Sequence, residues 1–234
     1  WRALTFITLL PHIVTKVGFR RKVEMRKITE AQLAGILAGL PTNPRVVASG
    51  NFAAPKTLLR IFDENVAEFR LHMLNAQPGI PDRDGITFET AFVGAGMRRS
   101  PRLEYIPSRL SLVPVLFRDH YVPDVVLLHT SSQRDDTVSL GTEVNILPAA
   151  IESARSNGGL VIVQANPNMP YTFGDAQLYE HEIDYLIEVD EPLAESPERE
   201  TSDETRIIGE RIASMISDGS TLQLGIGGIP NAVL

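Results

Sequence analysis

Apolar positions recur at helical spacing from Thr29 to Leu40, where Leu33, Ile36, Leu37 and Leu40 share one side and Thr29 stands at the N-cap. A β-branched run, Arg45-Val46-Val47-Ala48-Ser49, follows and stops at Gly50; Pro55 then opens a helical segment that the pattern carries through Phe69. The alternation continues. Arg70–Leu74 and Ile86–Val93 read as strands, the second running into Gly94-Ala95-Gly96, and Val122–His129 contains the apolar run Val125-Val126-Leu127-Leu128. Ile146–Asn157 reads as a helix, Gly159–Gln164 as a buried strand, Asn166–Asp175 as a turn-rich loop and Ile183–Val189 as one more strand. Short unbroken apolar runs separated by helices predict an α/β fold, an open and mainly parallel sheet with helices on both faces.

Between Glu188 and Glu204 the pattern lapses: eight acidic residues with Pro192 and Pro197 mark a solvated linker. Thr205–Ser217 is helical, with Ile207, Ile208, Ile212, Met215 and Ile216 along one side and Asp218-Gly219 ending it. Thr221–Leu224 then reads as a strand that runs into Gly225-Ile226-Gly227-Gly228-Ile229-Pro230, with a covering helix only begun at Leu234, so further chain is expected. The resulting division is a leader over 1–27, an α/β domain over 28–190, an acidic linker over 191–204 and the start of a second, similar domain over 205–234. The leader is set apart because Trp1 is not a natural start, because its basic residues resemble a targeting segment, and because the globular pattern begins at Ile28; Met25 is the expected start. Its apolar run, broken by Pro11, His12 and Lys16, is too short to span a bilayer, so no membrane association is expected.

Composition narrows the classes. With 234 residues and 43% hydrophobic content the chain can bury a substantial core. A formal charge of −7 gives no general attraction to nucleic-acid phosphates or anionic lipid. The absence of cysteine removes disulfides, thiolate metal sites and a cysteine nucleophile, and fits a reducing, cytoplasmic setting. The five histidines (His12, His72, His120, His129, His181) lack metal-ligand spacing and are expected to be structural or exposed, so no metal is expected. Asp82-Arg83-Asp84-Gly85 is a turn rather than a calcium loop, since its glycine comes too early, and no Gly-x-Ser-x-Gly elbow is present.

Three features carry candidate chemistry. Glycines after a strand let the backbone approach a ligand and gather amides around an oxyanion, which singles out Gly225, Ile226, Gly227, Gly228 and Ile229; a plain tight turn is the alternative. Pro230 stands where a dinucleotide fingerprint needs glycine, and no Lys-Ser/Thr follows as in a P-loop. The loop Asn166–Asp175, with Asn168, Met169 and Pro170 at its tip, offers amides on a proline-stiffened backbone at the carboxyl edge of a sheet. Gly50-Asn51, Gly94-Ala95-Gly96 and Ser139-Leu140-Gly141 are weaker candidates for the same edge.

Taken in order, Val163-Gln164-Ala165-Asn166-Pro167-Asn168-Met169-Pro170, Gly174-Asp175, the run Glu182–Leu193 and Leu222–Leu234 resemble successive signatures of the acetyl-CoA hydrolase / 4-hydroxybutyrate CoA-transferase family. The resemblance extends from about Ile28 to Leu234. It implies two similar open α/β domains with the active site between them, and a glutamate nucleophile downstream of the glycine turn, beyond Leu234, so that the catalytic residue is not named here. It also implies a CoA-contacting role for Gly225–Ile229, an acyl-site position for Asn168–Pro170, and coenzyme A as a substrate with no permanently bound cofactor. The implied partners are an acyl-CoA and a small carboxylic acid, in a homo-oligomer. Many relatives carry a Pro-Pro and His-Gly loop where this chain has Ser131–Gly141, which leaves the acyl preference open. The reaction implied is CoA transfer between an acyl-CoA and a carboxylic acid through a glutamyl-CoA thioester; the alternatives are acetyl-CoA hydrolysis or a non-catalytic domain that binds CoA or a partner.

Overall fold

Each buried strand of this chain has apolar residues on both faces, and the two sets pack against different helices. The computed structural model describes residues 25–195 and 201–234. These form two compact units, one ending at Ala194 and the other running from Glu195 to Leu234. Most of the expected leader and part of the expected acidic linker, residues 1–24 and 196–200, lie outside the described residues.

In the first unit the strands are β1 (Arg26–Lys27), β2 (Arg45–Ala48), β3 (Phe69–His72), β4 (Ile86–Thr90), β5 (Leu103–Tyr105), β6 (Val125–Ser131), β7 (Thr137–Ser139), β8 (Leu160–Asn166), β9 (Gln177–Tyr179) and β10 (Tyr185–Glu188). The helices are α1 (Glu30–Leu37), α2 (Lys56–Asn65), α3 (Val113–Asp119) and α4 (Leu147–Ser156). Eight strands form one sheet in the order β1-β10-β8-β6-β2-β3-β4-β5, every pairing parallel. β7 and β9 form a separate antiparallel ribbon. The expected parallel α/β sheet is therefore present, and it starts at Arg26, two residues before the pattern was expected to begin.

Alternation along the strands builds the two cores. Val46, Val125, Leu127, Ile162 and Ile187 pack with Leu33 and Leu37 of α1 and Leu58, Leu59, Ile61 and Phe62 of α2. Val47, Val126, Leu128, Val161, Val163 and Leu186 pack with Val113 and Phe117 of α3 and Leu147, Ala150, Ile151 and Ala154 of α4. Burying both faces is what a parallel sheet requires, and each such aliphatic side chain contributes about 1.5–3 kcal/mol.

Three boundaries differ from expectation. The helix from Pro55 ends at Asn65, not Phe69, because Val66 turns extended and Arg83 caps the exit: its guanidinium donates to the carbonyls of Asp63 at 3.0 Å, Val66 at 2.7 Å and Ala67 at 2.7 Å. In the second unit, α5 (Asp203–Ala213) stops before Met215 and Ile216. Thr221–Leu224 forms no strand; no strand pairs with it among the described residues, and an extended segment without a ladder partner is only coil. The turn Gly225–Gly227 leads instead into α6 (Gly228–Val233). α5 and α6 touch closely: a Cβ on Gly209 would sit 2.4 Å from the carbonyl oxygen of Ala232. No helix among the described residues is long and apolar enough to cross a membrane.

Strands β2, β3 and β4 bury charge between them. Glu89 is fully buried and accepts from Arg45 Nε at 2.9 Å and Nη2 at 3.2 Å, and from Arg70. Burial alone would raise the Glu89 pKa, but the hydrogen bonds and charges of the two arginines outweigh it and hold the carboxyl below its ordinary value. Beside it, His72 is fully buried, edge-on to Phe117 at 5.1 Å, with neither ring nitrogen hydrogen-bonded. Burial lowers its pKa to about 4, with Glu89 opposing and Arg45 adding to the shift.

This arrangement fixes the acid side of the stability curve. His72 is neutral in the folded chain and ordinary in the unfolded one, so its contribution is intact above pH 6.5 and lost as pH falls from 6.5 to about 4, to a total of roughly 3 kcal/mol. Glu89, with its pKa depressed, adds a further loss only below its ordinary value of 4.5. Urea unfolding at pH 7 and pH 5 is expected to show the loss, and His72→Leu is expected to flatten most of it, the remainder belonging to buried His129, whose pKa is also lowered. Equal slopes in both proteins would refute the assignment.

Candidate functional site

In an open parallel sheet the strand order reverses direction at one place, and the loops leaving the two strands there diverge. Here that place lies between β2 and β6: β3, β4 and β5 continue on one side, and β8, β10 and β1 on the other. The loops at the carboxyl ends of β2, β3, β6 and β8 therefore frame a crevice, and three of the sequence candidates within this unit fall on it.

Gly50 leaves β2 against the next loop: a Cβ there would meet the carbonyl oxygen of Leu74 at 2.1 Å. Asn51 and Asn75, at the ends of β2 and β3, both adopt left-handed backbone angles, φ 46° and 47°. Their amides are chained together. Asn75 Nδ2 donates to Asn51 Oδ1 at 2.6 Å, Asn51 Nδ2 donates to Glu143 Oε2 at 2.6 Å, and Asn145 Nδ2 donates to Glu143 Oε1 at 2.8 Å. Glu143, 5% exposed, is thus a buried carboxylate that pins the exits of β2 and β3 to the loop before α4.

The Ser139–Gly141 turn and the Asn166–Asp175 loop form one body. Ser139 Oγ accepts the amides of Gly141 at 3.1 Å and Thr172 at 3.0 Å and donates to the Thr172 carbonyl at 2.8 Å; Thr172 Oγ1 donates to the Gly141 carbonyl at 2.8 Å. Gly141 is left-handed at φ 64°, and a Cβ on it would lie 2.3 Å from Met169 Sδ. Met169 is accordingly buried at 3% exposure, a packing residue rather than a surface contact. Asn168 is committed to the protein: its Nδ2 donates to Asp190 Oδ1 at 2.9 Å and to the carbonyl of Glu191 at 2.9 Å.

Under the N-terminus of α2 lies a third group. Gln164 Oε1 accepts the amide of Leu58 at 3.2 Å, and its Nε2 donates to Glu191 Oε2 at 3.2 Å, while Thr57 Oγ1 donates to Glu191 Oε1. Asn166 Nδ2 donates both to the Glu191 carbonyl at 2.9 Å and toward His129 Nε2 at 3.1 Å. That second contact makes Nε2 the acceptor and leaves the proton on Nδ1. His129 is buried, and burial holds its pKa below the ordinary value against the charge of Glu191 and the Ala53 and Ala54 backbone. It is a buried ring hydrogen-bonded within the fold, as a structural histidine is expected to be.

Gly225–Ile229 belong to the second unit. Gly227 has φ 144°, a region that favours glycine, and Ile226 is fully exposed. Sequence reasoning overlooked Thr57, Glu143, Gln164 and Glu191 as site residues. Their partners are up to 134 residues away, so no local spacing announces them.

Residues 80–195 match the model of the acetyl-CoA hydrolase/transferase N-terminal domain. The chain is 33% identical over 226 residues to the 4-hydroxybutyrate coenzyme A transferase of Clostridium kluyveri, covering 91% of this chain and 51% of the relative. It is 31% identical over 209 residues to the succinyl-CoA:acetate/propanoyl-CoA:succinate CoA transferase of Fasciola hepatica, covering 83% of this chain and 43% of the relative. Among solved structures, the 4-hydroxybutyrate CoA-transferase of Porphyromonas gingivalis matches with a TM-score of 0.63 and 29% identity, covering 89% of this chain and 50% of that one. The chain spans about half the length of the curated relatives it matches. Sequence signatures, a matching family model and relatives about a third identical lead to one assignment: the chain belongs to the acetyl-CoA hydrolase/transferase family.

Proposed function

We propose that the protein transfers coenzyme A between an acyl-CoA and a small carboxylic acid, and that the crevice between β2 and β6 receives the acyl group and the acid. The observation that supports this reading is the gathering of neutral side-chain amides and the buried Glu143 carboxylate at the crossover of a sheet whose family is one of CoA transferases and hydrolases.

Exchange of CoA between two carboxylates is nearly isoenergetic, so the chemistry needs a covalent store for the thioester and no external energy. A glutamate carboxylate downstream of the glycine turn attacks the acyl-CoA carbonyl and expels CoA thiolate, giving an acyl-glutamyl anhydride. The thiolate then attacks the glutamyl carbonyl and releases the acid, leaving a glutamyl-CoA thioester that the acceptor carboxylate discharges by the reverse steps. Each attack places negative charge on a carbonyl oxygen, and the amides near Gly227 and Gly228 stabilise it. Water in place of the acceptor acid makes the same site a hydrolase. Asn168, Met169 and Pro170 shape the acyl side, with Asn168 holding the loop and Met169 filling beneath it. We further propose that the protein acts as a cytoplasmic homo-oligomer.

Full-length protein incubated with acetyl-CoA is expected to transfer CoA to propionate or 4-hydroxybutyrate and to be inactivated by hydroxylamine only in the presence of acyl-CoA. Inactivation without acyl-CoA, or transfer with no trappable thioester, would reject the covalent route. Gly228→Val tests the cradle: a Cβ at Gly228 meets nothing closer than 3.9 Å, so folding is expected to persist while kcat falls about 10²-fold or more. Unchanged kcat would remove the turn from the mechanism.

A further inference from the structure

One hydrogen-bond chain at the crossover runs in a single direction, and a buried carboxylate sets that direction. Glu143 is 5% exposed, and both of its oxygens are taken by neutral amides, Asn51 Nδ2 at 2.6 Å and Asn145 Nδ2 at 2.8 Å. A carboxylate accepts and does not donate, so Asn51 must turn its Nδ2 toward Glu143. Its Oδ1 then accepts from Asn75 Nδ2 at 2.6 Å, which leaves the carbonyl oxygen of the Asn75 side chain as the outer end of the chain. The backbone of Asn75 is committed as well: its amide donates to the Phe92 carbonyl at 2.8 Å, and its carbonyl accepts from Gln77 Nε2 at 2.9 Å. Asn75 Oδ1 is thus an acceptor that no donor among the described residues reaches, on a half-buried residue just past β3. Fastening two loops together needs bonds but no particular polarity. Burying a charge at the inner end supplies polarity, at the cost of desolvating that charge. Asn51 and Asn75 also hold left-handed backbone angles, which persist where surrounding contacts over-determine them and are concentrated at functional sites.

We infer that Glu143 is a positioning residue: acting through Asn51, it orients Asn75 so that Oδ1 accepts a hydrogen bond from an O–H or N–H group of the ligand. The inference deepens the proposed transferase reading and rests on it for the ligand, whose donor is the hydroxyl of a hydroxy acid or an amide N–H of the pantetheine arm of CoA. The polarity cannot be relieved at the other end of the chain, because Asn145 is fixed by the Ile146 amide, which donates to its Oδ1. Replacing Glu143 by glutamine therefore puts one acceptor and one donor where two acceptors stood. The acceptor stays with Asn145, whose orientation is set. The donor meets Asn51, which turns over and turns Asn75 with it. The outer end of the chain changes from a carbonyl oxygen to an NH2 group.

The test reverses the polarity and then restores it. In full-length protein Glu143→Gln is expected to lower kcat/KM about tenfold, the worth of one neutral hydrogen bond. If the donor is the acid's hydroxyl, the loss is confined to 4-hydroxybutyrate and spares butyrate; if it is the pantetheine amide, both acceptors suffer and KM for acyl-CoA rises. Asn75→Asp in that background returns an acceptor to the outer end, since one aspartate oxygen takes the reversed Asn51 amide and the other is left free. Activity is then expected to recover, whereas Asn75→Asp in the unmodified protein sets a carboxylate against Asn51 Oδ1 and is expected to lower it. Losses that simply add make Glu143 a structural tie and overturn the inference. A readout apart from activity is the side-chain amide of Asn75 in ¹⁵N spectra of the 234-residue chain. Asn75 does not touch Glu143, so a shift of that amide in Glu143→Gln shows the reversal passing through Asn51, and an unmoved amide rejects it. Should Glu143→Gln not fold, Asn75→Ala decides: an equal loss of kcat/KM with the fold retained supports the acceptor, and an unchanged value removes it. Reversal at Asn75 in a full-length protein that transfers no CoA would overturn the transferase reading and leave the polarity standing. Transfer indifferent to all of these variants would do the opposite.

Discussion

The parallel pairing of β2 with β6 is the constraint on which the rest depends. Val46, Val47 and Ala48 lie in register with Val125, Val126 and Leu127, and each side chain is buried on one face or the other. Because the strand order reverses at this seam, the chain leaves β2 and β6 in opposite directions, and nothing regular closes the carboxyl edge between them. The loops there must satisfy their own polar groups by reaching across to one another, which is why Glu143, Asn51 and Asn75 form a chain and why Ser139 and Thr172 exchange several hydrogen bonds. A site is the by-product of that topological break.

Elsewhere in the sheet the buried polar groups are ions: Glu89, in register with His72 at the end of β3, sits between Arg45 and Arg70 with no exposed surface. Such a cluster gives little net stabilisation once desolvation is counted, but removing one partner leaves an uncompensated buried charge. At the carboxyl edge the donors named above are asparagine, glutamine, threonine and serine. Both ends of α2 belong to this scheme, since Arg83 closes its carboxyl end and Gln164 Oε1 accepts the Leu58 amide at its amino end, each supplied from outside the helix.

Much of the architecture was legible in the sequence because it follows from patterns repeated over short windows. Val125–Leu128 and Leu160–Val163 could be read as buried parallel strands from their unbroken apolar character, and Thr29 as an N-cap from the residue type three positions before Gln32, whose side chain completes a capping box. What stayed hidden was set by distant residues. The end of α2 depends on Arg83, and the absence of a strand at Thr221–Leu224 on the lack of a ladder partner among the described residues, neither of which a local window contains. Loop candidates were recognisable at Gly50, Gly141 and Asn168 because glycine and asparagine after a strand mark turns, whereas Glu143 and Glu191 looked like any other acidic residues until the topology brought them to the crossover.

A carboxyl edge built from amides has a consequence for the chemistry proposed. A transferase must hold an acid as an anion in one half-reaction and as an uncharged thioester in the other. A buried arginine would favour the anion strongly and would be left unpaired, at a cost of several kcal/mol, once that charge was lost on acylation. Neutral donors such as Thr57, Gln164 and Asn166 bind a carboxylate oxygen and a carbonyl oxygen with more nearly equal strength, keeping the two half-reactions close in energy, as exchange in either direction requires. Here the guanidinium groups of Arg45 and Arg70 are instead engaged by Glu89, where they hold β2, β3 and β4 together.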